Sequence, residues 1–358
     1  MSARPLLPPL APLAPLPSTA PDCRPGRARA RRALATAAAL AAGLAGGLLL
    51  PGAAHAAEAT CTVNGKAVTS EHIMGTDGDD VIECGQGVPA GAVIHAGAGN
   101  DTITVTGPRG RSGYSPEKGG SGNDGEVRGG PGDDTIKVTG GTGGDLRVPS
   151  LSHSHATVTA DGGTGSTGTV LGGNGRDTIT VTGGEHGNRS RPQFRFGQGG
   201  DAVHGDHSSV DGGAGDDSIR LDSPGGTGLV GGSKGFGATG GQMRGGPGDD
   251  AIEIEGFKAT RSALVSGGEG EDVIALRGVN GLASRLDGGA GNDRITVHGR
   301  SYGNGYASEM LGGPGDDFLG ASGQVAANDG RMDGGPGVNS CLLDGKNSGD
   351  IVNCPRHN

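Results

Sequence analysis

One six-residue turn recurs along this chain with apolar residues held in phase to it, and that phase lock limits the fold more than any other feature. The turn reads small residue, glycine, any residue, glycine, any residue, Asp, as in "GGPGDD" at Gly129, "GGAGND" at Gly288 and "GGEGED" at Gly267. Its sixth position is Asp80, Asp101, Asp134, Asp177, Asp217, Asp250, Asp272, Asp293 and Asp317, with Asn339 in a last, degenerate copy. Two residues later the side chain is Ile82, Ile103, Ile136, Ile179, Ile219, Ile252, Ile274, Ile295, Leu319 or Cys341. Four residues later it is Cys84, Val105, Val138, Val181, Leu221, Ile254, Leu276, Val297, Ala321 or Leu343. This period of two predicts a strand with one buried face. A second, shorter strand is expected just before each turn, carrying Ile94, Val127, Val170, Val210, Met243, Val265, Leu286, Met310 and Met332. Strand, glycine turn, strand and variable loop make one circuit of a solenoid, each circuit advancing about 4.8 Å along the axis.

Composition agrees with a thin-walled repeat fold. Gly is 79 of 358 residues, Trp is absent and aromatics are 2%, so a thick close-packed core is excluded. Gly does not fall at every third position throughout, which excludes collagen, and the three in-phase apolar registers exclude a structureless glycine-rich tail.

The N-terminus reads as a leader. Arg24 to Arg32 is basic, Ala33 to Leu50 is an apolar run, and "AHA" at Ala54 to Ala56 supplies small residues for cleavage, so residues 1–56 are expected to be a secretory signal with an N-terminal extension. Residues 57–95 form the expected N-terminal cap and first repeat, 96–333 the roll with long loops in its first half, and 334–358 the C-terminal cap. Residues 1–56 hold six Arg and one Asp of the chain's 29 basic and 39 acidic residues, which leaves 23 against 38 and a net charge of −15. Such a surface repels nucleic acid and anionic membranes and attracts cations. No membrane span is expected once the leader is gone. Four cysteines remain, Cys61 and Cys84 near the start and Cys341 and Cys354 near the end. Their clustering suggests two local disulfides and an oxidising compartment, although four cysteines permit three pairings.

The turns "GGPGDDTIK", "GGAGNDRIT" and "GGEGEDVIA" resemble the nonapeptide of repeats-in-toxin, or haemolysin-type, calcium-binding proteins, from about Gly75 to Leu343. The resemblance implies an all-β, right-handed parallel β-roll or β-helix solenoid. It also implies Ca²⁺ between successive coils, with Asp80, Asp101, Asp134, Asp177, Asp217, Asp250, Asp272, Asp293 and Asp317 as side-chain ligands. Physical chemistry points the same way: Ca²⁺ takes six to eight oxygens, and glycines at positive φ can aim several carbonyls at one spot. Stacked aspartates would repel one another without a divalent cation between them. About eight such ions would add a charge of about +16. The spacing departs from the tandem nonapeptide, with turn-to-turn intervals of 33, 43, 40, 33, 22, 21, 24 and 22 residues from Ala96 onward. Calcium is therefore expected first between Gly245 and Asp317, with long loops or an extra half-coil in the earlier units. "GGSGNDGEV" at Gly119 to Val127 reads as a turn at the opposite edge. Fifth-position acids such as Asp79, Asp133, Asp216, Asp249 and Asp316 are expected to play a supporting part.

No catalytic constellation emerges. "GTGLVG" at Gly226 and "GGSKG" around Ser233 match nucleotide and nucleophile motifs as chance would in a glycine-rich chain. His153, His155, His204 and His207 read as solvated loop residues. The expected function is a secreted, calcium-stabilised structural or adhesive module, not an enzyme, with a cell-surface or extracellular polymer as partner. The alternative is a β-helix enzyme acting on polysaccharide, disfavoured by the lack of Trp and the scarcity of Tyr.

Overall fold

The computed structural model of the chain describes residues 57–145, 160–187, 201–205, 207–223, 238–280, 283–299, 302–305, 307–323 and 326–357. The leader, His153, His155 and the two chance motifs at 226–235 lie outside the described residues.

Every regular element among these residues is a β-strand. Strands that follow the glycine turns stack in parallel and in sequence order, from Val81–Cys84 through Thr135–Thr139 and Ala251–Arg261 to Ser340–Asp344. Strands that precede the turns form a second, 11-stranded sheet, from His72–Met74 through Glu126–Pro131 and Leu264–Glu269 to Asp350–Val352. The chain is thus a parallel β-roll, with two sheets joined at one edge by the glycine turns.

Register follows the sequence periodicity. Ile82, Ile103, Ile136, Ile179, Ile219, Ile252, Ile274, Ile295, Leu319 and Cys341 pair directly along one column. A one-residue slip would turn that whole column to solvent, which fixes the register. The facing column on the second sheet runs from Ile94 to Met332, and the structure extends it at both ends, to Ile73 and Ile351. The core holds these two columns, a third from Cys84 and Val105 to Val297 and Ala321, and smaller residues such as Val88, Val203 and Ala263 at the opposite edge.

Both ends are closed. Ala59–Val63 and Lys66–Ser70 form an antiparallel hairpin around Asn64 and Gly65, both at positive φ, and Ala59–Val63 lies antiparallel on Val81–Cys84. This hairpin masks the first edge of the roll. Disulfides join Cys61 to Cys84 and Cys341 to Cys354, choosing one of the three pairings open to the sequence.

In the long early units the described part of the extra residues runs as extended arms, hydrogen-bonded from coil to coil outside the named strands. Gly107, Gly110 and Gly113 donate their N–H groups to Thr139, Thr142 and Asp145, while Gly140 and Gly143 donate to Thr182 and Glu185. Returning arms bond in the same way, Gly119 to Asp161 and Gly122 to Thr164. Outgoing and returning arms are cross-linked through Gly120 to Pro108, Gly141 to Gly120 and Gly163 to Gly141. A bond at every third residue, where a β-ladder has a period of two, marks packed three-fold extended helices of the polyglycine type. Cβ atoms on Gly141 and Gly144 would lie 1.9 Å from the carbonyl oxygens of Pro108 and Arg111, so only glycine allows arms this close. These arms form a glycine wing that continues the stacking of the coils without a hydrophobic core. Asn123 in "GGSGNDGEV" stacks on Val88 and Ser166 at the opposite edge, where the wing rejoins the roll.

Candidate metal centre

The repeated turn brings the nine aspartates together in one buried column. Each sixth-position side chain accepts a hydrogen bond from the backbone N–H of the sixth residue in the preceding coil. Asp80 N donates to Asp101 Oδ1 at 2.8 Å, Asp101 to Asp134 at 2.8 Å, Asp134 to Asp177 at 2.8 Å and Asp177 to Asp217 at 2.7 Å. The ladder continues through Asp217 to Asp250, Asp250 to Asp272, Asp272 to Asp293 and Asp293 to Asp317, and ends with Asp317 to Asn339 Oδ1 at 2.8 Å. These rungs are as regular in the early units with long intervals as between Gly245 and Asp317. The described part of the longer intervals leaves the coil away from the column, through the arms of the wing.

The second carboxylate oxygen is the unusual one. Oδ2 of Asp101, Asp134, Asp177, Asp217, Asp250, Asp272, Asp293 and Asp317 is buried with no hydrogen-bond partner. The aspartates are at most 2% exposed. A buried acceptor left unmade costs about 1–3 kcal/mol, and more when charged, so eight in a row demand a partner the protein does not supply.

Glycines build the space around these oxygens. A Cβ on Gly172 would lie 2.3 Å from both Asp177 Oδ2 and the Gly212 carbonyl oxygen; on Gly267 it would lie 2.2 Å from Asp272 Oδ2 and 2.5 Å from the Gly288 oxygen. The first glycine of each such turn thus keeps open a place where a carboxylate and a carbonyl from the next coil converge. The second and fourth glycines serve the stacking itself. Gly130 and Gly132 have φ of +131° and +137°, and their Cβ atoms would meet the Gly97 and Gly99 oxygens at 1.9 and 2.0 Å. Successive turns therefore press carbonyl onto Cα, which no L side chain permits.

Burial and neighbouring charge act on the column together. Desolvation, with smaller repulsion from adjacent aspartates, pushes Asp134, Asp217 and Asp250 up to about 7. Burial likewise raises Asp177, Asp272 and Asp293 to about 6, and lifts Asp101 and Asp317 above the usual carboxylate range. Asp80 differs. Against its burial, the Thr76 N–H at 2.5 Å, the Thr76 hydroxyl at 2.9 Å and the Asn64 amide at 2.5 Å hold it below that range.

The fifth-position residues make a second, exposed ladder of opposite sense. Asn100 N donates to Asp79 Oδ1, Asp133 N to Asn100, Arg176 N to Asp133, Glu271 N to Asp249 and Asp316 N to Asn292. Arg176 has no acceptor oxygen and instead pairs with Asp216 at 3.6 Å. These acids tie coil to coil from outside, and nothing directs them at the buried oxygens.

No group of three or more His, Cys, Asp or Glu side chains suited to a metal occurs among the described residues. A cation in this column would therefore take most of its donors from turn carbonyls. That donor set, all oxygen and mostly neutral with one carboxylate per coil, suits calcium better than a transition metal. His204 bonds Asp201 at 2.9 Å on the surface, away from the column.

No protein-family model, curated protein or solved structure matches this chain. The site therefore has to be read from its own geometry. Sequence reasoning missed Asn64 and Thr76, which complete the first rung. The one signal for them was Thr76 in a position that other copies give to glycine.

Proposed function

We propose that this protein is a secreted calcium-binding β-roll of the repeats-in-toxin type, acting as a structural or adhesive module. One observation carries the reading: eight consecutive buried carboxylate oxygens lack any partner, and those of Asp134, Asp177, Asp272, Asp293 and Asp317 converge with a carbonyl of the next coil. The residues that would hold calcium are Asp101, Asp134, Asp177, Asp217, Asp250, Asp272, Asp293 and Asp317, through Oδ2, with carbonyl oxygens of the glycine turns. Calcium would supply charge neutralisation to the column and a bond from each coil to the next. Asp80, one of the nine ligands expected from the resemblance, is already satisfied by Asn64 and Thr76 and falls outside this set.

The two disulfides and the basic–apolar leader of residues 1–56 support export to an oxidising compartment. The net charge of −15 after the leader supports a role away from nucleic acid. The outer residues of the wing offer the surface for a cell-surface or extracellular polymer.

The test is circular dichroism and hydrogen exchange on the full secreted chain, first in chelator and then with calcium restored. Calcium should restore the β-signal and the protection of the amides of Asp101 to Asp293. An unchanged spectrum and unchanged protection would sink the reading.

A further inference from the structure

The column does not run to the ends of the roll. At the first turn Thr76 takes the second position, where later turns carry glycine, and its N–H and hydroxyl both donate to Asp80 Oδ2. Asn64, from the hairpin cap, donates to the other oxygen. At the last turn the acid is replaced by Asn339. Its Oδ1 keeps the ladder bond to Asp317, while its Nδ2 donates to the carbonyls of Gly335 at 2.9 Å and Asn353 at 3.2 Å. An amide thus stands where a carboxylate and two carbonyls would leave three acceptors facing one another. The Asp101 turn marks the transition, with Ala96 in the first position but a second oxygen as unpartnered as those after it.

The same two end coils carry the disulfides. Cys84 lies four residues past Asp80 and Cys341 two residues past Asn339. Each end is therefore held by a disulfide and has its whole side-chain terminus bonded within the protein, whereas the middle coils keep only the ladder bond to Oδ1 and leave Oδ2 unpartnered.

We propose that Thr76 and Asn339 are stoppers that confine cation binding to the turns between Asp101 and Asp317, so that the terminal coils stay folded when calcium is absent. This rests on the calcium reading above. Calcium would then act on the middle of the roll alone, between two permanently closed ends.

The experiment is native mass spectrometry of the full secreted chain, counting calcium ions on wild type, Asn339→Asp and Thr76→Gly. Wild type should carry up to eight ions and each variant one more: Asn339→Asp removes both amide donors of the last rung, while Thr76→Gly removes the hydroxyl and lets position 76 take the positive φ of later turns, which swings its N–H off Asp80 Oδ2. Hydrogen exchange in chelator should show protection kept at Ala59 to Cys84 and around Cys341, and lost between. No added ion in a variant overturns its end of the proposal. Nine or ten ions on wild type, or uniform exchange along the chain in chelator, overturns the whole of it. Absence of calcium from wild type is a different result and refutes the calcium reading itself.

Discussion

Replacing Asp250 by Asn should change stability in opposite directions with and without calcium. Asn keeps Oδ1 for the Asp217 N–H, so the ladder bond survives. It replaces the unpartnered Oδ2 by an NH₂, and Asn339 demonstrates that such an amide finds a carbonyl four residues back. Without metal, Asp250 titrates at about 7 against 3.8 in an unfolded chain, a rise of about 3 units. At about pH 8 the ionised group therefore opposes folding by about 4 kcal/mol, at about 1.4 kcal/mol per unit. Asn carries no such burden. In chelator the variant should therefore keep more of its middle coils folded than wild type does, since about 4 kcal/mol shifts that equilibrium roughly a thousandfold. With calcium in excess the order should reverse. Wild type gains about 3 kcal/mol for a site whose calcium stands at about a hundred times its dissociation constant, and the variant forfeits that gain at one rung. At one pH, the β-signal and amide exchange around Asp250 in chelator, and thermal melts in calcium, give the comparison needed. A variant that is less stable than wild type in chelator would refute the reasoning, because the carboxylate would then be stabilising the fold without a cation. Asp250→Ala serves as control. It leaves the Asp217 N–H unpaired and should be destabilised by about 1–3 kcal/mol in calcium beyond the loss of the ion.

Four further outcomes follow from the same structure. In chelator, stability should fall as pH rises from about 4 to about 7: the folded column binds protons that the unfolded chain has already released, so rising pH favours the unfolded state, and a melt independent of pH over that window would contradict this. Gly130→Ala should prevent two turns from stacking, since its methyl would meet the Gly97 oxygen, and the loss of β-signal should persist in calcium. Gly141→Ala should loosen the wing while leaving calcium stoichiometry unchanged, read by exchange at Gly107 to Gly122 against the ion count. Reduction of Cys341–Cys354 should weaken the C-terminal coil by about 2–4 kcal/mol and expose Ser340–Asp344 to exchange before the middle strands in calcium.

The roll was legible because its information lies in side chains at fixed spacing. Ile82 to Leu319 and Ile94 to Met332 announce both sheets and their register, since a parallel stack places like residues on like. Ile73 and Ile351 were missed because each lies in an end unit whose turn departs from the repeat. The column of acids was equally plain, yet its internal order was not. That one oxygen of Asp134 accepts the Asp101 N–H while the other is left over depends on backbone geometry that composition does not encode. The wing escaped altogether, because its signal is the lack of side chains at Gly107, Gly110, Gly140, Gly141, Gly143 and Gly144, and such glycines read as loop. The long intervals of the early turns gave no sign that their ladder bonds match those of the later ones, because spacing along the chain does not report which residues stack.

The glycine wing has a consequence for how such a chain can diversify. Its cohesion comes mainly from amides and carbonyls, with side-chain bonds such as Arg109 to Asp145 at 2.6 Å added from outside, so an outward residue such as Glu185 is under little packing constraint. Three added residues on each arm would lengthen an arm by one helical turn and restore the bonding phase. The wing can thus grow and change its outer chemistry without any adjustment in the roll, which makes it a natural place for related chains to differ in what they touch.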